Sequence, residues 1–231
     1  SVKSQLELYR EENISIQAFL AEKTQEFGAI SGAQSIEHAG ESITMQKAGL
    51  LLKEQDESLR KTVFEKMAAR RSSDIAELDA LFDTLIEKRT ELAKNAGFEN
   101  YRDYKFKEMG RFDYNKESCF EFHDSVEKHI VPLVKKIQKG KLAKMNKEIF
   151  RPWDTAVNAE GKAPLKPFET GKEMLDGTIA VFNKINPEFS GFLKTMEEMK
   201  HLDLESKPGK APGGYNYPLY ETGAPFIFMN A

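Results

Sequence analysis

Four histidines are the side chains of this 231-residue sequence best suited to metal chemistry: His38, His123, His129 and His201. A catalytic zinc site needs histidines and carboxylates converging at fixed spacing. In HDSVEKH, His123 and His129 stand six positions apart. That is about 240° around a helix, so they cannot hold one metal from one face. His123 and Glu127 do share a face, but a single such pair is the ordinary solvated pair of a helix surface. No HExxH segment occurs in the sequence. A covalent nucleophile is no better supported. Cys119 lies between Ser118 and Phe120 on a predicted helix, without a glycine elbow, and reads as a packing residue. KPGKAPGG offers glycine-rich backbone to a phosphate, yet Gly209-Lys210 is followed by Ala211 rather than Ser or Thr. The glycine required upstream is missing as well. The expected catalytic and metal-ligating residues are therefore none.

What remains is chemistry of the main chain, in the closing stretch GKAPGGYNYPLYETGAPFIFMNA. Gly213, Gly214, Tyr215, Asn216 and Tyr217 can run extended, and Pro218 to Gly223 can turn. Phe226 to Met229 is apolar on both faces, which predicts an inner strand with the first segment at the edge. The glycines let another backbone come close, so an extended peptide could add there as a further strand. A plain structural hairpin satisfies the same residues. Gly213 to Tyr217 are the candidate substrate-binding residues.

The elements that must position this edge are mostly helical. Ser4 to Phe27 reads as a polar helix stopped by Gly28, and Ile36 and Ile43 flank a His-Ala-Gly-Glu turn, which predicts a small hairpin. A short helix follows from Thr44 to Leu52. Asp56 is a predicted N-cap. Ile75, Leu78, Phe82, Leu85, Leu92 and Ala96 then draw a three-four apolar stripe, with Arg89 inside it as a snorkelling or ion-paired residue and Gly97 as the stop. Asn100, Asn115, Thr170 and Asn186-Pro187 predict further helix starts, and Pro132 should kink or restart the helix it enters. The fold class expected is mainly α, with one β-hairpin near the N-terminus and another at the C-terminus.

Composition excludes several classes of partner. The 34 basic and 37 acidic side chains are interspersed at a net charge of -3, so no phosphate-neutralising patch appears and nucleic acid is not expected. One cysteine rules out an intrachain disulfide framework and fits a reducing compartment. No apolar run approaches the roughly 20 residues that span a bilayer. The sequence opens on Ser rather than Met, so the lack of a signal segment carries no weight.

Several segments, in order, resemble the oligoendopeptidase F family of zinc metallopeptidases: GESITM, RTELAKNAGFENYRDYKF, RFDYNKESCFEFHDSVEKHIVP, RPWDTAVNAEGKAPLKPF and DLESKPGKAPGGY with GAPFIFMNA. The resemblance implies a largely helical, two-lobed fold with a channel and a small sheet bordering the site. It implies that Gly213-Gly214-Tyr215 lies on the substrate-facing edge strand, with Phe226 to Asn230 behind it and the helices from Arg111 onward as channel wall. It also implies a cytoplasmic parent enzyme that cleaves short peptides through a zinc-activated water. The family's HExxH helix would follow Ala231. On that basis residues 1–70 are expected to be part of an N-terminal helical and hairpin region. Residues 71–231 are expected to open the catalytic domain, bind no zinc themselves and be inactive alone. The exposed C-terminal strand is expected to favour oligomerisation. The rival reading is a non-enzymatic helical module that binds peptides or a partner protein.

Overall fold

A computed structural model describes Val2 to Asn230. The chain divides into two compact units, each built from two stretches of sequence. One comprises the residues up to Phe27 together with Asp74–Phe150, and the other comprises Gly28–Ser73 and Arg151 onward.

In the first unit, α1 (Val2–Leu8) is followed by α2 (Glu12–Gly32), which runs on into the second unit. The expected single helix is thus broken at Tyr9–Glu11, and the expected stop at Gly28 does not occur. Gly28 does not adopt the left-handed backbone of a helix stop, and a Cβ there would make only an ordinary 3.5 Å contact with the Ala211 side chain. The stripe predicted after Asp74 forms α5 (Ile75–Asn95). Its buried residues Leu92 and Ala93 pack with Ala96, with Leu8 and Ile16, and with Tyr104 of α6 (Tyr101–Glu108). Buried Asn13 fastens α2 to α5: its amide donates to the Leu92 carbonyl at 3.0 Å and its oxygen accepts from Asn95 at 2.9 Å. The Arg89 guanidinium lies 5.7 Å from the centre of the Tyr101 ring, a half-buried cation over an aromatic face.

Asn100 and Asn115 cap their helices through side-chain oxygens, as their positions predict. Asn115 opens α7 (Lys116–Ser125), which continues through a π turn (Val126–Ile130) into α8 (Val131–Lys144). Pro132 neither ends the helix nor starts a detached one. It lies in the first turn of α8, directly after the π turn.

The second unit holds the hairpin β1 (Ser35–His38) and β2 (Glu41–Thr44), in which Ile36 faces Ile43. Thr44 then caps α3 (Met45–Leu51), and Asp56 caps α4 (Glu57–Ser72). Ile36, Met45, Ala48, Val63 and Met67 form the core between these elements. The proline-rich connector closes on α4 by a buried ion pair between Arg60 and Asp154. Thr170 and Glu173 form a reciprocal cap at the start of α9 (Gly171–Ile185), and Asn186 caps α10 (Pro187–Glu198). The chain then enters a three-stranded sheet of β3 (Leu202–Asp203), β4 (Gly214–Tyr217) and β5 (Phe226–Met229). The fold is mainly helical with two small β-elements, and both expected hairpins are present.

Candidate functional site

The order of this sheet is β3-β5-β4. Phe226 to Met229, apolar at every position, therefore occupies the centre as the sequence predicts, and β4 is an edge among the described residues. β4 is antiparallel to β5, with Gly214 opposite Met229, Tyr215 opposite Phe228, Asn216 opposite Ile227 and Tyr217 opposite Phe226. β3 is parallel to β5 and sets Leu202 beside Ile227 and Asp203 beside Phe228.

Side chains alternate across a pleated strand, so this register sorts the sheet into two unlike faces. Tyr215, Tyr217, Phe226, Phe228 and Asp203 share one face, and Gly214, Asn216, Ile227 and Met229 share the other. On the aromatic face Tyr215 and Phe228 stack with ring centres 5.0 Å apart and planes 5° from parallel. The His201 ring lies 6.2 Å from that of Phe226, and its Nδ1 is 3.3 Å from the Pro225 carbonyl oxygen.

Both glycines are required by the geometry. Gly213 has φ +95°, a left-handed conformation that disfavours a side chain, and its carbonyl accepts from the Asn230 N–H at 3.0 Å. A Cβ on Gly214 would stand 2.9 Å from the Phe228 carbonyl oxygen, so only glycine lets the strand lie this close to β5. All four residues of β4 are exposed. The five residues singled out from sequence are thus contiguous: one is a left-handed lead-in and four form the open strand.

The loop before β4 is held firmly, and sequence reading missed the residues that hold it. Lys210 is only 7% exposed and its ammonium lies 2.9 Å from the Asp203 carboxylate. It also donates to the carbonyls of Met229 (2.6 Å), Glu205 (2.8 Å) and Asp203 (3.2 Å). The ammonium sits 4.7 Å from the centre of the Phe228 ring. Its hydrogen bond holds the Asp203 carboxyl below the usual aspartate range, and burial opposes that effect only in part. Asn230 clasps the other side, donating through its side-chain amide to the carbonyls of Lys210 at 2.9 Å and Ala211 at 3.0 Å. The loop packs against the end of α2, where the Gly209 N–H donates to the Gly32 carbonyl at 3.0 Å. The available signal was a pair of lysines, Lys207 and Lys210, in a glycine-proline loop with Asp203 and Glu205 just upstream.

The arrangement has no nucleophile beside a base. It can offer main-chain hydrogen bonds along a glycine-led edge, next to an exposed aromatic surface. Among the described residues, no three His, Cys, Asp or Glu side chains are grouped to hold a metal ion. Among the described residues, no helix is long and apolar enough to cross a membrane.

The profile of Peptidase family M3 matches residues 50–231. A structure described as an oligoendopeptidase F from Bacillus anthracis str. Ames superposes with a TM-score of 0.91 at 25% identity, over 99% of this chain and 42% of that one. A structure of PZ peptidase A with an inhibitor gives 0.91 at 27% identity, over 99% and 41%. A further oligoendopeptidase F structure gives 0.92 at 26% identity, over 99% and 40%. The chain thus spans about two-fifths of the length of these structures. No curated protein matches it significantly in sequence.

Proposed function

The chain belongs to peptidase family M3, and from that premise we propose that it supplies the peptide-holding edge of a zinc-dependent oligopeptidase acting on short peptides in the cytoplasm. The observation that carries this reading is β4 itself: paired with β5 on one side, exposed along its whole length, and led by two glycines that the geometry requires. A short peptide laid beside Gly213 to Tyr217 would exchange main-chain hydrogen bonds with the edge. Alternate side chains of that peptide would then rest against Tyr215 and Tyr217, while the others would point to the opposite face.

Hydrolysis by such a peptidase uses zinc, which activates water for attack on the peptide bond. The described residues do not fit that metal, because they bring no set of three ligands together. Their part is to bind the peptide and keep it extended. The chain assayed alone should leave a quenched fluorescent peptide uncut, and zinc-dependent turnover by the purified 231 residues would overturn this division of roles.

The binding test is a titration of the chain with a blocked six-residue peptide of alternating Thr and Val. Saturable binding is expected, weakened at least ~tenfold by Tyr215→Ala, which removes an exposed aromatic anchor. Equal affinity of the variant and the native chain would remove the edge from the reading.

A further inference from the structure

Three side chains form a row across the sheet: Asp203 on β3, Phe228 on β5 and Tyr215 on β4, each opposite the next in register. Lys210 belongs to no strand, yet its ammonium bridges the first two members of the row. It meets the Asp203 carboxylate at 2.9 Å and lies 4.7 Å from the Phe228 ring centre. Phe228 in turn stacks against Tyr215. From this geometry we propose that Lys210 is the positioning residue of the β4 edge, acting through Phe228 to fix the ring of Tyr215 and the extended backbone around it. The inference rests on the reading of β4 as a peptide-binding edge and identifies what gives that edge its shape.

The hydrogen bonds explain why a lysine is required. Its ammonium has three protons and four acceptors in range: the carboxylate of Asp203 and the carbonyls of Asp203, Glu205 and Met229. These acceptors come from β3, from the loop after it and from the end of β5, so one side chain joins three segments. An apolar residue of equal length would fill the space and leave all four acceptors without that donor. The Phe228 ring would also lose the cation against its face. Meanwhile the Lys210 carbonyl is held by Asn230, so neither end of the residue is free to drift. Tyr215 remains 56% exposed, so its orientation is set from within while its outer surface stays open to a ligand.

A purely structural lysine would lower stability without changing what the edge binds, and the experiment separates the two. The native chain, Lys210→Met, Lys210→Arg and Tyr215→Ala are titrated with the blocked Thr-Val hexapeptide. Amide hydrogen exchange is followed across residues 213–217 and, as a control in the same unit, across the β1–β2 hairpin. Lys210→Met is expected to weaken binding at least ~tenfold and to speed exchange at 213–217 while the hairpin keeps its protection. Lys210→Arg keeps the charge and donors in a larger planar head, and should retain more binding than Lys210→Met while falling short of the native chain. Native affinity and unchanged exchange at 213–217 in Lys210→Met would overturn the proposal, and a loss confined to Tyr215→Ala would leave the edge reading intact. If the native chain does not bind the peptide, the edge reading fails, and the exchange pattern alone decides whether Lys210 shapes β4. Should Lys210→Met not fold, Asp203→Asn replaces it. Faster exchange confined to 213–217 then supports the proposal, and unchanged exchange there overturns it.

Discussion

Arg60 and Asp154 meet at 3.0 Å in the interior of the second unit, with side chains 2% and 0% exposed. The pair is 94 residues apart in sequence and ties α4 to the proline-rich connector. Every arm of the guanidinium is used: Nε donates to Trp153 O, Nη1 to Glu54 O and Gln55 O, and Nη2 to the carboxylate. The second carboxylate oxygen accepts from the Arg151 N–H at 3.1 Å. A buried charge so fully bonded is costly to orphan.

Arg60→Ala should therefore destabilise the fold by about 3–5 kcal/mol, because it strands a carboxylate and three carbonyls in the interior. Urea denaturation followed by circular dichroism measures this. Arg60→Lys should also lose stability, since one ammonium cannot span the four acceptors of the fork. The double variant Arg60→Met/Asp154→Leu should lose less than the two single losses added together, and simple additivity would show that the two side chains are not coupled.

Gly214→Ala should cost about 1–3 kcal/mol through forced backbone movement, since its Cβ would press on the Phe228 carbonyl oxygen at 2.9 Å. The same denaturation series tests it. A neutral substitution would mean that β4 lies farther from β5 than the register indicates.

Acid should loosen the sheet through Asp203. Its carboxyl titrates below the ordinary aspartate value because Lys210 hydrogen-bonds to it. The lowered value means that the folded state binds this proton less readily than the unfolded one. The stabilisation is present in full above about pH 3.9 and is lost as the pH falls through the lower folded value. Amide exchange of residues 226–229 measured down to acid pH should show progressive loss of protection, and Asp203→Asn should flatten that dependence.

At the start of α9, the Thr170 hydroxyl accepts from the Glu173 N–H at 3.1 Å, and the Glu173 carboxylate accepts in return from the Thr170 N–H at 3.3 Å. Thr170→Ala should cost about 1 kcal/mol in the thermal or urea transition. Thr170→Ser should be close to neutral.

Local chemistry made much of this fold readable in advance. Asn100, Asn115, Thr170 and Asn186 open helices because each has a short oxygen-bearing side chain that reaches the first free N–H groups. Phe226–Met229 was identifiable as an inner strand because a strand apolar on both faces must be covered on both. The misreadings are those in which distant contacts decide. The break between α1 and α2 has neither glycine nor proline at Tyr9–Glu11. Gly28 reads as a stop, but the helix runs on to Gly32, where the absent side chain leaves room for the Lys210 carbonyl oxygen, 2.9 Å from where a Cβ would be. β3 is two residues long and exists through its parallel pairing with β5, which no local pattern announces. Lys210 was hidden for the same reason: its partners are brought to it by the sheet.

The π turn at Val126–Ile130 has a consequence for the helix that carries it. An extra residue in one turn rotates everything downstream by about 100° relative to an unbroken α-helix. It therefore sets the phase between the acidic side chains Glu117, Glu121 and Asp124 ahead of it and the lysines at 135, 136 and 139 behind it. Deleting one residue there would restore an unbroken α-helix, but it would turn Leu133 and Ile137 to a different compass bearing from Phe122. In this segment a single inserted amino acid works as an angular setting, chosen once and inherited by every side chain that follows.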